Sequence, residues 1–178
     1  LEIAYDLLAA DDTDGMLYFP LFNYADGNLD VLEELHQHPR TIMGLSDAGA
    51  HCGAICDGGM PTFMLTHWTR DRTRGPRLRL EDVVRRQTGA TAQAFGLMDR
   101  GILAPGMRAD VNLIDYENLR FCRPEILHDL PAGGRRLAQR ATGYVATMVN
   151  GQLIVRDSQR TGALPGRLIR GAQTGPRR

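Results

Sequence analysis

Between Met16 and Leu45 the chain carries two short apolar runs around an amphipathic one, and this arrangement narrows the available folds more than any other feature. Met16-Leu17-Tyr18-Phe19-Pro20-Leu21-Phe22 is short and continuously apolar, the pattern of a strand buried on both faces. It stops at Asn23. Asn28 is placed to cap a helix over 29–37, in which Val31, Leu32 and Leu35 share a face and beyond which Pro39 forbids continuation. Thr41-Ile42-Met43-Gly44-Leu45 then reads as a second buried strand. Strand, helix and strand with short connections make a βαβ unit, whose parallel strands are covered by helices on their faces. The expectation is an α/β fold, a barrel or a doubly wound sheet.

Helical patterns flank this unit. Leu1, Ala4, Tyr5 and Leu8 fall at helical spacing. Pro61 suits the first turn of a helix running to about Arg70, and Leu80-Glu81-Asp82 opens another that carries Val83 and Val84. Ala92, Ala94, Phe95 and Leu97 form a following helical turn. From Gly101 the pattern changes. Pro105-Gly106 is a turn, 109–115 is a strand with partial alternation, and two further strand-like runs, 144–149 and 152–155, flank Asn150-Gly151, the strongest short-range signal for a hairpin with a type I′ turn. The chain is therefore expected to divide into an α/β part, residues 1–98, and an antiparallel β part, residues 99–178.

Composition excludes several classes. At 178 residues and 43% hydrophobic, the chain has material for one ordinary domain or a large piece of a bigger one. No stretch approaches the roughly 20 consecutive apolar residues of a membrane span, and Leu1-Glu2-Ile3-Ala4-Tyr5-Asp6 has neither the basic head nor the cleavage site of a signal peptide. A helix already running at Leu1 without an initiating Met is read as the C-terminal part of a longer polypeptide. Cys52, Cys56 and Cys122 are an odd number without a secretion signal, so a reducing compartment, the cytoplasm, is expected.

The 21 basic residues balance 21 acidic ones, which argues against nucleic acid as a partner. Their distribution is uneven. Residues 1–66 carry one Arg against eleven Asp and Glu, whereas 67–178 carry twenty Arg against ten acids, so the halves are expected to pair with each other or with parts outside the chain. Nucleic-acid binding by the Arg-rich stretch 156–178 would have to overcome the acidic first third. Every basic residue is Arg, which removes P-loop, Schiff-base and Lys-base chemistry.

Two combinations reach a family. Gly44-Leu45-Ser46-Asp47 at the end of an expected buried strand, followed by Asp99-Arg100-Gly101-Ile102-Leu103-Ala104-Pro105-Gly106-Met107-Arg108-Ala109-Asp110, resembles the closing section of metal-dependent amidohydrolases. Val149-Asn150-Gly151 and Thr161-Gly162-Ala163-Leu164-Pro165-Gly166-Arg167 make the D-aminoacylase (N-acyl-D-amino-acid deacylase) branch the nearest match, over most of residues 40–170. The resemblance implies the closing part of a TIM (β/α)8 barrel followed by antiparallel segments of an accessory β-sandwich. It also implies hydrolysis of an N-acyl-D-amino acid, with D-glutamate or D-aspartate among the candidates, by a zinc-activated water. The remaining ligands would then lie in an N-terminal part of the same polypeptide, leaving this piece inactive by itself. A homo-oligomer stays open. The reading from a different class is a non-catalytic assembly or regulatory module that keeps the scaffold for protein contacts.

In such barrels the reactive groups sit at the C-terminal ends of strands, where the βα-loops converge. Asp47 matches that place, and the resemblance makes it both the general base and a metal ligand; by itself the residue reads equally as a turn cap. His51, just beyond, is the candidate for substrate contact or proton relay, although the His-Pro-Arg element common in relatives is absent here. Asn23 is a candidate to hydrogen-bond an acyl group. His36-Gln37-His38 spells a metal pair, but at the end of a helix the two side chains diverge by about 200°, so they are assigned to stabilising the helix C-terminus. His51, Cys52, Cys56, Asp57 and His67 are possible ligands without a second Cys or His pair, and satisfied loop and helix side chains are expected there. Leu130-Pro131-Ala132-Gly133-Gly134-Arg135-Arg136 follows no strand and lacks Lys, so it reads as a loop whose Arg residues meet acidic neighbours, not as a phosphate cradle. The Arg70, Asp71, Arg72 and Arg74 run reads as a solvated or interface-facing charge run.

Overall fold

The computed structural model describes residues 2–10, 16–20, 22–44, 46–48, 53 and 57–176. Five α-helices come first: α1 (Glu2–Ala9), α2 (Asp30–Gln37), α3 (Met60–Thr66), α4 (Leu80–Gln87) and α5 (Gly89–Ala94). α2 starts one residue later than expected, with Leu29 at the cap position, and Asn28 forms a local turn just before it, its Oδ1 accepting the Asp30 N–H at 2.9 Å. Pro61 lies in the first turn of α3, where its missing N–H costs nothing. The helix expected to continue to Arg70 instead widens into a π-helical turn, His67–Asp71. This leaves the Trp68 carbonyl to accept the Leu78 N–H at 2.8 Å.

The two strands expected at 16–22 and 41–45 are not formed among the described residues, where 16–20 and 41–44 are irregular, so the βαβ unit is not present there. The physical reason is that an apolar run becomes a strand only where another backbone supplies the ladder of hydrogen bonds, and no strand pairs with either segment among the described residues. Met16, Leu17, Tyr18, Phe19 and Phe22 are exposed.

Among the described residues the β part contains the three strands expected at 109–115, 144–149 and 152–155 and five that were not expected, among them Glu125–Leu130, which leads into the 130–136 segment expected to follow no strand. β1 (Val111–Ile114), β6 (Tyr144–Val149), β7 (Gln152–Arg156) and β8 (Gln159–Arg160) form an antiparallel sheet in the order β1-β6-β7-β8. β2 (Arg120–Phe121) pairs with β5 (Ala141–Thr142), and β3 (Glu125–Leu130) with β4 (Gly134–Ala138), both antiparallel. The turn between β6 and β7 has φ of 52° at Asn150 and 74° at Gly151, the two left-handed positions of a type I′ turn. The segment expected as a loop at 130–136 is instead a short 3-10 turn, Pro131–Gly133, between the end of β3 and the start of β4, and Arg136, in β4, pairs with Asp129 of β3 at 2.7 Å. No described helix is long and apolar enough to cross a membrane.

One core joins the two parts. Met64, Leu65, Trp68 and Val83 of the helices are buried with Leu119 from the loop before β2, and Met43, Ile114 and Tyr144 pack against them. Thr62 and Tyr144 share a hydroxyl hydrogen bond of 2.8 Å, and Thr69 and Tyr116 one of 2.5 Å. Arg70 donates to the carbonyls of Tyr116 and Leu119, tying the π turn to the same loop. At Gly143 (φ 91°) an added Cβ would lie 2.6 Å from the Leu119 Cα, so the close approach of the two backbones depends on glycine.

Trp68, only 1% exposed, is surrounded by charge and imidazole. The Arg72 guanidinium lies over its ring at 4.4 Å, and His36 meets it edge-on at 4.9 Å. Arg72 is itself buried, and its Nη2 donates to Asp30 Oδ1 (3.1 Å) and Glu33 Oε2 (2.8 Å). The run read as solvated thus contains an internal cation, because two carboxylates on the first turn of α2 supply the charge that makes its burial tolerable. His36 does not act as a charged helix-end group. Burial, then Arg86 and Arg72, hold its pKa below the usual histidine value, and the end of α2 is satisfied instead by Thr41, whose Oγ1 donates to Leu35 O (2.6 Å) and His38 O (2.9 Å). Burial and then Arg72 likewise lower His67, with Asp71 opposing.

Three outcomes are expected. Gly151→Val, which strains a positive φ, should cost about 1–3 kcal/mol, and Gly143→Ala at least as much, by thermal denaturation. Arg72→Met should cost about 3 kcal/mol by leaving Glu33 without its cation, Asp30 keeping Arg74, whereas Arg140→Met, which breaks the exposed pair with Glu125, should stay within about 1 kcal/mol. Because His36 and His67 are held neutral in the folded state, the unfolded chain takes up protons first below about pH 6.5. Their contribution is complete above that pH and is lost as pH falls toward the depressed folded values. Urea midpoints should therefore drop between about pH 7.5 and 5.5, and drop less in the His36→Gln/His67→Gln variant.

Candidate functional site

The segment that presents Asp47 is anchored at both ends. At its start, Arg86 Nη2 donates to His38 O at 3.2 Å and lies 3.4 Å from Thr41 Oγ1, so α4 holds the end of α2 and the first residue after it. Met43 then packs against the buried cluster. At its far end Ala48 sits close to Gly58, where an added Cβ would come within 3.6 Å of the Ala48 Cβ. Gly59 is buried, its N–H donating to Gln139 Oε1 at 2.9 Å, and an added Cβ there would lie 2.6 Å from that oxygen. Gln139 in turn donates through Nε2 to Cys122 O at 3.1 Å. The approach to α3 is thereby tied to the β part by a side-chain amide that sits where a side chain on residue 59 would displace it.

Asp47 itself is exposed, with φ of 55°, a conformation that Asp and Asn adopt more readily than other side chains. Its carboxylate takes no hydrogen bond or ion pair among the described residues. Asn23 is also exposed, with φ of 58°, but it ends no strand, since the run before it is irregular. His51 lies outside the described residues, as do Cys52 and Cys56. Of the remaining candidate ligands, Asp57 accepts the Met60 N–H through its backbone carbonyl at 3.0 Å. His67 is stacked on Phe63 at 4.6 Å and edge-on to Trp68 at 5.3 Å, an aromatic packing role.

A zinc ion needs three or more convergent N, O or S donors. Among the described residues no group of three His, Cys, Asp or Glu is placed to hold a metal. Asp47 offers a single exposed carboxylate, so the described donor set does not fit a metal by itself. Gln139, Arg86 and Thr41, which hold the segment in place, were not singled out from sequence. The one local signal was the Gly58-Gly59 pair ahead of Pro61, which marks a close backbone approach.

Compared with known proteins, residues 18–155 match the amidohydrolase family. An adenine deaminase of Sinorhizobium fredii is 46% identical over 48 residues, covering 27% of this chain and 8% of that protein. Adenine deaminase 1 of Rhizobium etli is 45% identical over 49 residues, covering 28% and 8%. A 5-methylthioadenosine/S-adenosylhomocysteine deaminase of Pelotomaculum thermopropionicum is 36% identical over 78 residues, covering 44% and 17%. The chain thus spans from 8% to 17% of the length of these relatives. No solved structure matches it. With a family match that runs from before α2 to the end of β7, through the Asp47 segment and the hairpin, the chain belongs to the amidohydrolase family.

Proposed function

We propose that the protein hydrolyses a C–N bond of a small molecule, with Asp47 as the carboxylate that takes the proton of the attacking water. The observation that carries this reading is the family match across the Asp47 segment, supported by an exposed carboxylate in a left-handed turn between two anchored ends. The chemistry asks for such a group. As the water oxygen bonds to the sp² carbon, its proton passes to Asp47; as the C–N bond breaks, the same proton can return to the departing nitrogen. The products are a carboxylate and an amine. Asn23 and His51 are assigned to substrate contact. The zinc expected from the resemblance would need ligands beyond the described residues, and no step here passes through it.

Within this class the proposed substrate is a linear N-acyl-D-amino acid. Support comes from Val149-Asn150-Gly151 and from Thr161 to Arg167, which match the D-aminoacylase branch in spelling. A second reading has its own support in the deaminase names of the relatives: release of ammonia from a purine amine. Both reactions add water to a carbon bearing nitrogen, so they share Asp47 and differ in the leaving group. We place the chain as the closing barrel segment and accessory β part of the enzyme.

The full-length protein should release free amino acid from N-acyl-D-amino acids and no ammonia from adenine or S-adenosylhomocysteine. The reverse result establishes the second reading. Asp47→Asn should leave the melting temperature unchanged and lower kcat by at least about 100-fold. Equal turnover in the variant removes Asp47 from catalysis, and a folded protein inert toward both substrate sets points to the scaffold module.

A further inference from the structure

The C-terminal strap, residues 161–176, is irregular except for one bridging residue, Gln173, yet it is pinned at three places. Thr161 donates to β7, its N–H to Ile154 O at 3.0 Å and its Oγ1 to Leu153 O at 2.7 Å. Gln173 exchanges backbone hydrogen bonds with the 96–98 turn, its N–H with Gly96 O at 2.8 Å and its carbonyl with Met98 N at 3.1 Å. Pro176 lies against Gly106, where an added Cβ would meet its ring at 2.8 Å. The strap therefore crosses the loop that carries residues 99–110, and between the two lies a cleft of about 230 Å³.

Four arginines line this cleft: Arg100 and Arg108 from the loop, Arg167 and Arg170 from the strap. The loop pair is held in place. Arg100 forms a two-point pair with Asp99 (2.9 and 3.0 Å) and reaches Asp110 at 3.4 Å, while Arg108 Nε donates to Asp99 at 2.8 Å. Arg100, and after it Arg108, hold the Asp99 carboxyl below the usual carboxylate range, so it stays ionised. Asp110 is further occupied by the Asn150 N–H at 2.8 Å. Arg167 and Arg170 have no acidic partner among the described residues. Four cations against two committed carboxylates leave two positive charges. Gly166 adds bare backbone to the wall, and the N–H groups of 166–170 donate no hydrogen bond among the described residues.

We propose that the cleft between the strap and the 99–110 loop binds a dianionic oxyanion, a phosphate or the phosphate group of a small phosphomonoester. Arg167 and Arg170 supply the charge and forked donors, backbone N–H groups of the strap add neutral donors, and the Asp99-held Arg100 and Arg108 form a floor. Two unbalanced charges match a dianion, which an amide substrate or a monocarboxylate lacks. A bound dianion would tie the strap to the loop at a fourth place.

Inorganic phosphate, sulfate and acetate titrated calorimetrically into the full-length protein at fixed ionic strength test this. Phosphate and sulfate should saturate at one site, with acetate at least about tenfold weaker. Arg167→Ala/Arg170→Ala, at exposed positions that leave the fold intact, should weaken phosphate by at least about tenfold, and Arg156→Ala, exposed on β7 outside the cleft, should not. Glycerol phosphate binding more tightly than phosphate makes the ligand a phosphomonoester, and equal binding makes it the free anion. Non-saturable phosphate binding, acetate as strong as phosphate, or an equal loss in Arg156→Ala overturns the proposal.

Discussion

A buried arginine stacked on a buried tryptophan organises the helical half of this molecule. Removing a guanidinium from water is expensive unless carboxylates and other acceptors replace the lost hydration, and Arg72 has Asp30 and Glu33 at Nη2, the Arg74 carbonyl at Nε and the Trp68 ring against its face, with Nη1 left unpartnered among the described residues. The two carboxylates stand three residues apart on the first turn of α2, where the helix dipole also favours negative charge. One cation therefore ties α2 to the end of the π turn and covers one face of Trp68.

The candidate site inherits its position from this arrangement. With α2 docked, its end is held by Thr41 and Arg86, the chain that follows drops Met43 into the core, and Asp47 emerges beyond it. From the other direction Gln139 grips the Gly59 backbone, so the β part decides where α3 begins and how Ala48 meets Gly58. A carboxylate proposed to move a proton from an irregular segment needs such anchorage, since misplacement by an ångström is costly to a proton transfer. The uneven charge of the chain has a matching explanation. Asp30 and Glu33 from the acidic stretch meet Arg72 and Arg74 from the basic one, so part of the imbalance is resolved inside the molecule.

Local chemistry was legible where neighbours along the chain decide the outcome. The Asn150-Gly151 turn, the Asn28 turn at the head of α2 and the Pro61 start of α3 follow from φ preferences and short side-chain contacts, and the structure has each of them. The motif that led to the amidohydrolases was legible for a related reason: residues 99–110 act through contacts made on the spot, Asp99 with Arg100 and Arg108, and Asp110 with the backbone of the nearby hairpin turn.

What sequence could not decide depends on chain segments far apart. Apolar runs at 16–20 and 41–44 show a preference for burial but not a partner, and without a neighbouring ladder they are not strands. Arg72 looked solvated because its carboxylates are 39 and 42 positions away, and a charge can be recognised as buried only when its distant counterions are known. His36 was assigned a charged role by its place at a helix end, and tertiary packing against Trp68 beside Arg86 and Arg72 made it neutral. By itself the sequence determined the tight turns, the start of α3 and the family, because dihedral preference is a property of a few consecutive residues; the expected apolar faces of the helices are only partly buried, with Val31, Leu35 and Val84 exposed. Only the tertiary structure decided which charges are buried, which side chain reaches the Gly59 backbone, which backbones touch at Gly143, and where Asp47 stands, because those depend on closing long loops of chain against one another.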